Sequence, residues 1–230
     1  MRYIVPTVFF ALCACAAQAG PWPREKGVVF TAFGGNFLLS EGAQLPVNYD
    51  PTFYGEYGLN GTVTFGVDYH TADLGRIQAA VFFASFPLGE PVGPDVFSAQ
   101  IGLGARMDPL NPVEHLLRGG VSWGRGLDSG WMAIDASATY GDIDQLWRPK
   151  ADFTWGHHLN DRWSVMAQLQ TGQGYDDDTY AKVNPAVIFH INDRYSVSIG
   201  AVHALTGDRG SALKLDLWTT ATIPRFHATE

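Results

Sequence analysis

From about residue 28 to residue 223 the chain alternates apolar and polar side chains with a period of two, the pattern of a strand with two different faces rather than the 3.6 spacing of a helix. Trp163, Val165, Ala167 and Leu169 oppose Ser164, Met166, Gln168 and Gln170. Tyr195, Val197, Ile199 and Ala201 oppose Ser196, Ser198 and Gly200. Leu213, Leu215, Leu217 and Thr219 oppose Lys214, Asp216, Trp218 and Thr220. Phe97 to Leu103 and Ala151 to Trp155 repeat the arrangement. Each segment runs about ten residues between turn signals, the length of a tilted strand that crosses a membrane. The segmentation is 28–38, 52–58, 62–71, 76–86, 96–106, 117–125, 130–141, 146–158, 162–173, 180–191, 194–205 and 211–223. That is an all-β, up-and-down antiparallel chain of about twelve strands, with roughly 10 to 14 compatible with the pattern. The run Ala79 to Phe86 also fits a strand buried on both faces.

A short repeat supports the order. Leu59-Asn60-Gly61, Leu159-Asn160-Asp161-Arg162 and Ile191-Asn192-Asp193-Arg194 each follow a strand and open the next one. They follow the second, eighth and tenth segments, so all three fall at one end of an up-and-down sheet. The other end takes the longer or more acidic connections: Ser40 to Asp50, Asp108 to Glu114, and Gly174 to Asp178. Pro87 to Pro94 is a longer connection on the short-turn side. No composition break divides the chain, and one domain over residues 20–230 is the economical reading.

Alternation alone does not say whether the apolar face meets a core or lipid. The polar face carries Glu56, Asp68, Asp135, Asp152 and Asp216 together with Arg106, Arg118, Arg148, Lys150, Lys182 and Lys214, spaced by glycines and serines. A few opposed charges among small residues suit a confined, watered lumen. The aromatics sit at strand ends, Trp155, Trp163, Phe189 and Tyr195 beside the short turns and Tyr140 and Trp147 towards the other rim. That is where interfacial girdles belong. A soluble sandwich with Trp and Tyr in its core is the competing reading.

Composition narrows the classes. The chain is 46% hydrophobic and 13% aromatic but only 17% charged, against about a quarter in ordinary soluble domains. No window after residue 19 approaches the roughly 20 apolar residues of a spanning helix. The net charge of −8 and the lack of a basic run argue against nucleic acid. Met1-Arg2, the apolar run from Ile4 to Ala17 and Ala17-Gln18-Ala19 before Gly20 have the form of a signal peptide over residues 1–19. Both cysteines, Cys13 and Cys15, lie in that segment, so the exported chain has no thiol for a disulfide or zinc site. A lipoprotein signal acylated at Cys15 is the alternative use of Leu12 to Cys15.

With these features the chain resembles the small outer-membrane β-barrel proteins of Gram-negative bacteria over essentially all of residues 20–230. Trp22-Pro23-Arg24-Glu25-Lys26-Gly27 and the Asn-Asp-Arg turns are similar to those of uncharacterised porin-like barrels from alphaproteobacteria. The resemblance implies outer-membrane lipid and lipopolysaccharide around the barrel, insertion by the barrel-assembly machinery, and small solutes as cargo. Such barrels usually end on an aromatic residue; here Phe226 is followed by His227-Ala228-Thr229-Glu230.

No catalytic or cofactor motif appears. Parity turns His70 and His158 inward and His157 and His203 outward, and none of them stands at the spacing of a nucleophile motif. Asp176-Asp177-Asp178 lacks the alternate spacing and central glycine of a calcium loop. Five of the 23 acids face inward by parity against six basic groups, a bias that favours anions. The expectation is a narrow passive channel for small polar solutes, without enzyme activity, cofactor or metal. Inward charges paired into a plug, a closed barrel acting through its loops, and a lipid-modifying enzyme are the alternatives.

Overall fold

In hydrocarbon, backbone polar groups find no water, so a sheet can span only if every strand has two neighbours. The computed structural model meets that condition. It describes residues 20–39, 49–72, 75–175, 177–207 and 210–223. The strands are β1 (Val28–Leu39), β2 (Tyr49–Gly58), β3 (Thr64–Ala72), β4 (Ile77–Pro87), β5 (Asp95–Asp108), β6 (Asn111–Leu127), β7 (Gly130–Gly141), β8 (Trp147–Asn160), β9 (Trp163–Gln173), β10 (Thr179–His190), β11 (Tyr195–Thr206) and β12 (Ser211–Thr222). Each pairs antiparallel with its sequence neighbours, and β1 pairs β12 from Val28↔Thr222 to Leu39↔Ser211, closing the barrel. Residues 1–19 and Phe226 lie outside the described residues.

The expected faces are present. Phe82, 68% exposed, and Leu103, 67% exposed, belong to an outward apolar belt with Phe33, Phe65, Ile101, Val121, Ile199 and Leu217. Inward positions of the same strands are buried, among them Phe30, Val81, Phe83, Glu114, Leu116, Ser122 and Asp216. A period-two surface that is apolar outside and polar inside is the signature of a barrel in lipid.

The three Asn-containing turns share one hydrogen-bond scheme. Asn60 Oδ1 accepts from the amides of Thr62 and Val63 at 2.9 and 2.7 Å. Asn160 Oδ1 accepts from Arg162 and Trp163 at 2.9 and 3.0 Å, and Asn192 Oδ1 from Arg194 and Tyr195 at 2.9 and 3.1 Å. An Asn side chain thereby replaces a backbone turn contact. Both ends of the described chain, near residues 27 and 223, lie at this end, where Ile223 N donates to Gly27 O at 2.9 Å.

Two expectations are corrected. The sixth strand begins at Asn111, not 117, and the connection expected over Asp108 to Glu114 shrinks to residues 109–110 at the tip of a long β5–β6 hairpin. Pro112 does not stop the strand: β7 pairs β6 only from Leu116 onward, so Pro112 sits where β6 has one neighbour and a missing N–H is tolerated. Nor is 79–86 covered by protein on both faces. Ala79, Val81 and Phe83 point into the barrel, whereas Phe82 points to lipid.

Candidate functional site

The lumen divides into three levels. Inside the barrel, charges pair between strands or along one strand. Arg118 on β6 donates to Asp68 Oδ2 on β3 at 2.7 Å and stacks over the Phe83 ring at 5.4 Å. On β8, Lys150 Nζ lies 2.8 Å from Asp152 Oδ2, and on β12 Lys214 Nζ lies 3.6 Å from Asp216 Oδ1. Asp135 stands opposite both Ser122 and Asp152. Lys182 Nζ lies 4.9 Å from the centre of the Tyr180 ring. The pairs do not fill the space: the Lys150 side chain is 47% exposed although it points inward, and that of Asp68 is 32% exposed. Inward charged groups that keep this exposure give the lumen a polar lining.

The long-loop mouth is narrowed by Tyr175, carried inward by the β9–β10 connection. Its ring lies under Arg106 Cζ at 4.5 Å and Arg148 Cζ at 5.5 Å, stacks on His70 at 6.2 Å, and its hydroxyl is 3.3 Å from His70 Nε2. Two acids and a backbone carbonyl, from three elements, fix the two guanidiniums. Arg106 Nε is 2.8 Å from Glu114 Oε2 on β6, Arg148 bonds Asp144 in the β7–β8 connection, and Arg148 Nε donates to Gly174 O at 3.2 Å. A cavity of about 260 Å³ opens between these groups and Asn111. Burial pushes the Tyr175 hydroxyl pKa up, so the phenol stays neutral and can donate or accept. Burial opposes the charge on Asp144, but its bonds to Arg148 and to the Leu146 amide outweigh burial and hold its carboxyl below the ordinary value.

The short-turn mouth is occupied by the segment ahead of β1. Arg24 N donates to Thr64 Oγ1 at 2.9 Å, and Arg24 Nε to Glu56 Oε2 at 2.5 Å. Tyr54 donates to the other Glu56 oxygen at 2.7 Å, and Arg24 Cζ sits 4.6 Å over the Phe30 ring. Residues 21 and 22 reach β6. A Cβ on Gly124 of β6 would stand 2.5 Å from Pro21 Cγ and 2.6 Å from the Trp22 ring. Beside them Trp131 packs on His158 at 5.2 Å.

The eleven charged residues expected on the inner face all stand at inward register positions, but several partners differ from the pairing considered for a plug. Arg118 with Asp68 and Lys150 with Asp152 are joined. Arg106 and Arg148 instead turn to Glu114 and Asp144, and Glu56 turns to Arg24. Glu114 was hidden in a segment taken for a loop; its spacing from Leu116 and Arg118 continues the inward parity of β6. Arg24 precedes any strand, and only its place beside Trp22, between an export signal and the first strand, hinted at a role. Adding Arg24 to the bases and Glu114 and Asp144 to the acids removes the basic excess behind the expected anion bias. Among the aromatics, Trp163 packs on Phe189 at 4.7 Å near the short turns, with Trp155 and Tyr195 also at that end, and Tyr140 packs on Trp147 at 5.3 Å at the other rim.

Histidine does meet hydroxyls. His158 Nδ1 and His190 Nε2 each lie 2.9 Å from Ser164 Oγ, and His190 Nδ1 lies 2.9 Å from Ser196 Oγ. Both nitrogens of His190 are thus taken by serines, with no carboxylate to orient the ring, and Ser164 is 0% exposed. The groups form a hydrogen-bond ladder from His158 through Ser164 and His190 to Ser196. Among the described residues no cluster of His, Cys, Asp and Glu has metal-binding form.

No family model matches the chain, and no curated protein matches it. Among solved structures the fold is similar to the COG4313 outer membrane channel from Pseudomonas putida F1, with a TM-score of 0.59 and 10% identity over 90% of this chain and 100% of that one. It is similar to the KdgM porin at a TM-score of 0.57 and 7% identity, over 84% of this chain and 98% of the porin. Outer membrane phospholipase A from Escherichia coli gives 0.50 and 10%, over 89% and 94%. At these identities the likeness is one of barrel architecture.

Proposed function

We propose that the chain is an outer-membrane β-barrel that serves as a narrow passive channel for small polar solutes, exported by residues 1–19 acting as a signal peptide. The observation that carries this reading is the charged inner lining of a closed barrel, where inward Lys150 keeps nearly half its side-chain surface exposed inside a wall that is apolar on the outside. Selectivity by pore radius and lining charge needs such an inward polar lining. Similarity to a porin and to an outer membrane channel agrees with the reading. Similarity to a phospholipase is one of barrel architecture and carries no activity to this chain. The near balance of inward charges favours weak charge selectivity.

The test is planar-bilayer conductance of the refolded exported chain, after its heat-dependent gel mobility confirms a closed barrel. Discrete steps are expected, with a reversal potential shifted towards cation preference in Arg118→Ala and Lys150→Ala. A folded barrel that stays silent, alone and with Tyr175→Ala opening one mouth and Gly124→Phe displacing Pro21 and Trp22 from the other, overturns the channel and favours the structural reading.

A further inference from the structure

The stretch from Gly20 to Lys26 belongs to no strand, yet it crosses the barrel. One side of the crossing is β2 and β3: a Cβ on Gly58 would collide with the Arg24 and Glu25 carbonyls, and Arg24 is bound to Thr64 and Glu56. The other side is β6 and β7, where Pro21 and Trp22 lie in the space left by Gly124, and an ideal Cβ on Gly20 would be 3.9 Å from Ala133 Cβ. In the closed order of twelve strands these two walls stand four strands apart around the ring. Pro21 is among the most deeply buried residues.

We propose that residues 20–26 are a resident gate across the short-turn mouth, hinged at Gly27 and latched by the Arg24–Glu56 ion pair. Gly27 has a φ of +82°, which a glycine adopts without strain, and it is tied to the rim on both sides: its N–H donates to Gly58 O at 2.8 Å and its carbonyl accepts from Ile223. Ahead of that fixed point the segment makes few backbone bonds to the wall, so its position depends on a charge pair and on two side chains seated on a glycine. Such a segment can leave without breaking the barrel ladder, whereas an inward-folded strand cannot. Glu56 is held for this purpose: Tyr54 bonds one oxygen and Arg24 the other, so removal of the latch leaves a hydrogen-bonded carboxylate facing the chamber.

The gate rests on the channel reading, and one experiment separates them. The exported chain has no cysteine, so Gly20→Cys with Ala133→Cys introduces a single pair whose Cβ separation falls within the ~3.5–4.5 Å range of disulfides. In the refolded exported chain this pair is expected to cross-link on oxidation, with loss of conductance that returns on reduction. Gly124→Phe, which fills the seat of Pro21 and Trp22, is expected to conduct continuously, and Glu56→Gln to lengthen open times. A heat-modifiable barrel in which the cysteines do not cross-link overturns the placement. Equal conductance in the oxidised, reduced and Gly124→Phe forms overturns the gate while leaving the channel. Silence in all of them overturns the channel and the gate together.

Discussion

The residues that narrow the lumen are mostly partners of other residues, and that governs how they respond to change. Asp144 is the clearest case because it joins Arg148 beside the Tyr175 ring. Its pKa lies below the ordinary carboxylate value of about 3.9, so its pairing supports the fold above that value and is lost as pH falls through the depressed one. The contribution of the Arg148–Asp144 pair to conductance is therefore expected to stay constant from neutral pH down to about 4 and to be lost below it as Arg148 is released. Asp144→Asn should remove that acid step, which a titration of single-channel current reads directly. A second residue-scale case is Gly66, whose missing side chain makes room for the Phe83 ring. Gly66→Leu should cost about 1–3 kcal/mol by overpacking, measured by denaturant unfolding in lipid vesicles. Neither partnership was legible in the sequence. Alternation assigns a face, but it does not say which inward group on β6 meets which loop carboxylate, since that depends on where the connections fold.

At the scale of the strand, legibility was much greater, because a period of two is imposed by lipid on one side and water on the other. Strands such as β9, β11 and β12 could be read almost residue by residue. The sixth strand was the exception: Pro109, Asn111 and Pro112 carry turn chemistry, and nothing local reveals that the strand continues with one neighbour beyond the barrel rim. The same two-sided environment sets the cost of error. Phe82 is at the centre of β4 and faces lipid, so Phe82→Lys should destabilise the barrel by roughly 2–4 kcal/mol, whereas Phe82→Leu should be nearly neutral. Unfolding of both variants in vesicles would decide whether this face meets hydrocarbon; equal stability would sink that assignment. Turn chemistry gives a smaller, exposed contribution. Asn160→Ala removes two backbone acceptor bonds and should cost about 1 kcal/mol, without altering the strands it joins.

For the whole molecule, closure is the property that no single strand encodes. It was inferable only because an even number of spanning strands with a lipid-facing side leaves two edges that must find each other. The seam runs the full length of β1 against β12, with Phe33 opposite Leu217 and Gly34 opposite Asp216. Removing β12 would leave β1 and β11 as open edges in hydrocarbon, each unpaired backbone group costing several kcal/mol, far beyond the stability of a single domain. A chain ending before Ser211 should therefore never acquire the heat-resistant form, rather than acquire it with lower stability. The β5–β6 hairpin offers the opposite test within the same ring. Its tip, from Asp108 to Asn111, lies past the point where β7 begins to pair β6, so replacing it by a two-residue Asn-Gly turn leaves every barrel seam intact. That variant should fold with unchanged heat-dependent mobility. If the loss of β12 and the shortened hairpin behaved alike, a closed ring would not be what holds this chain together.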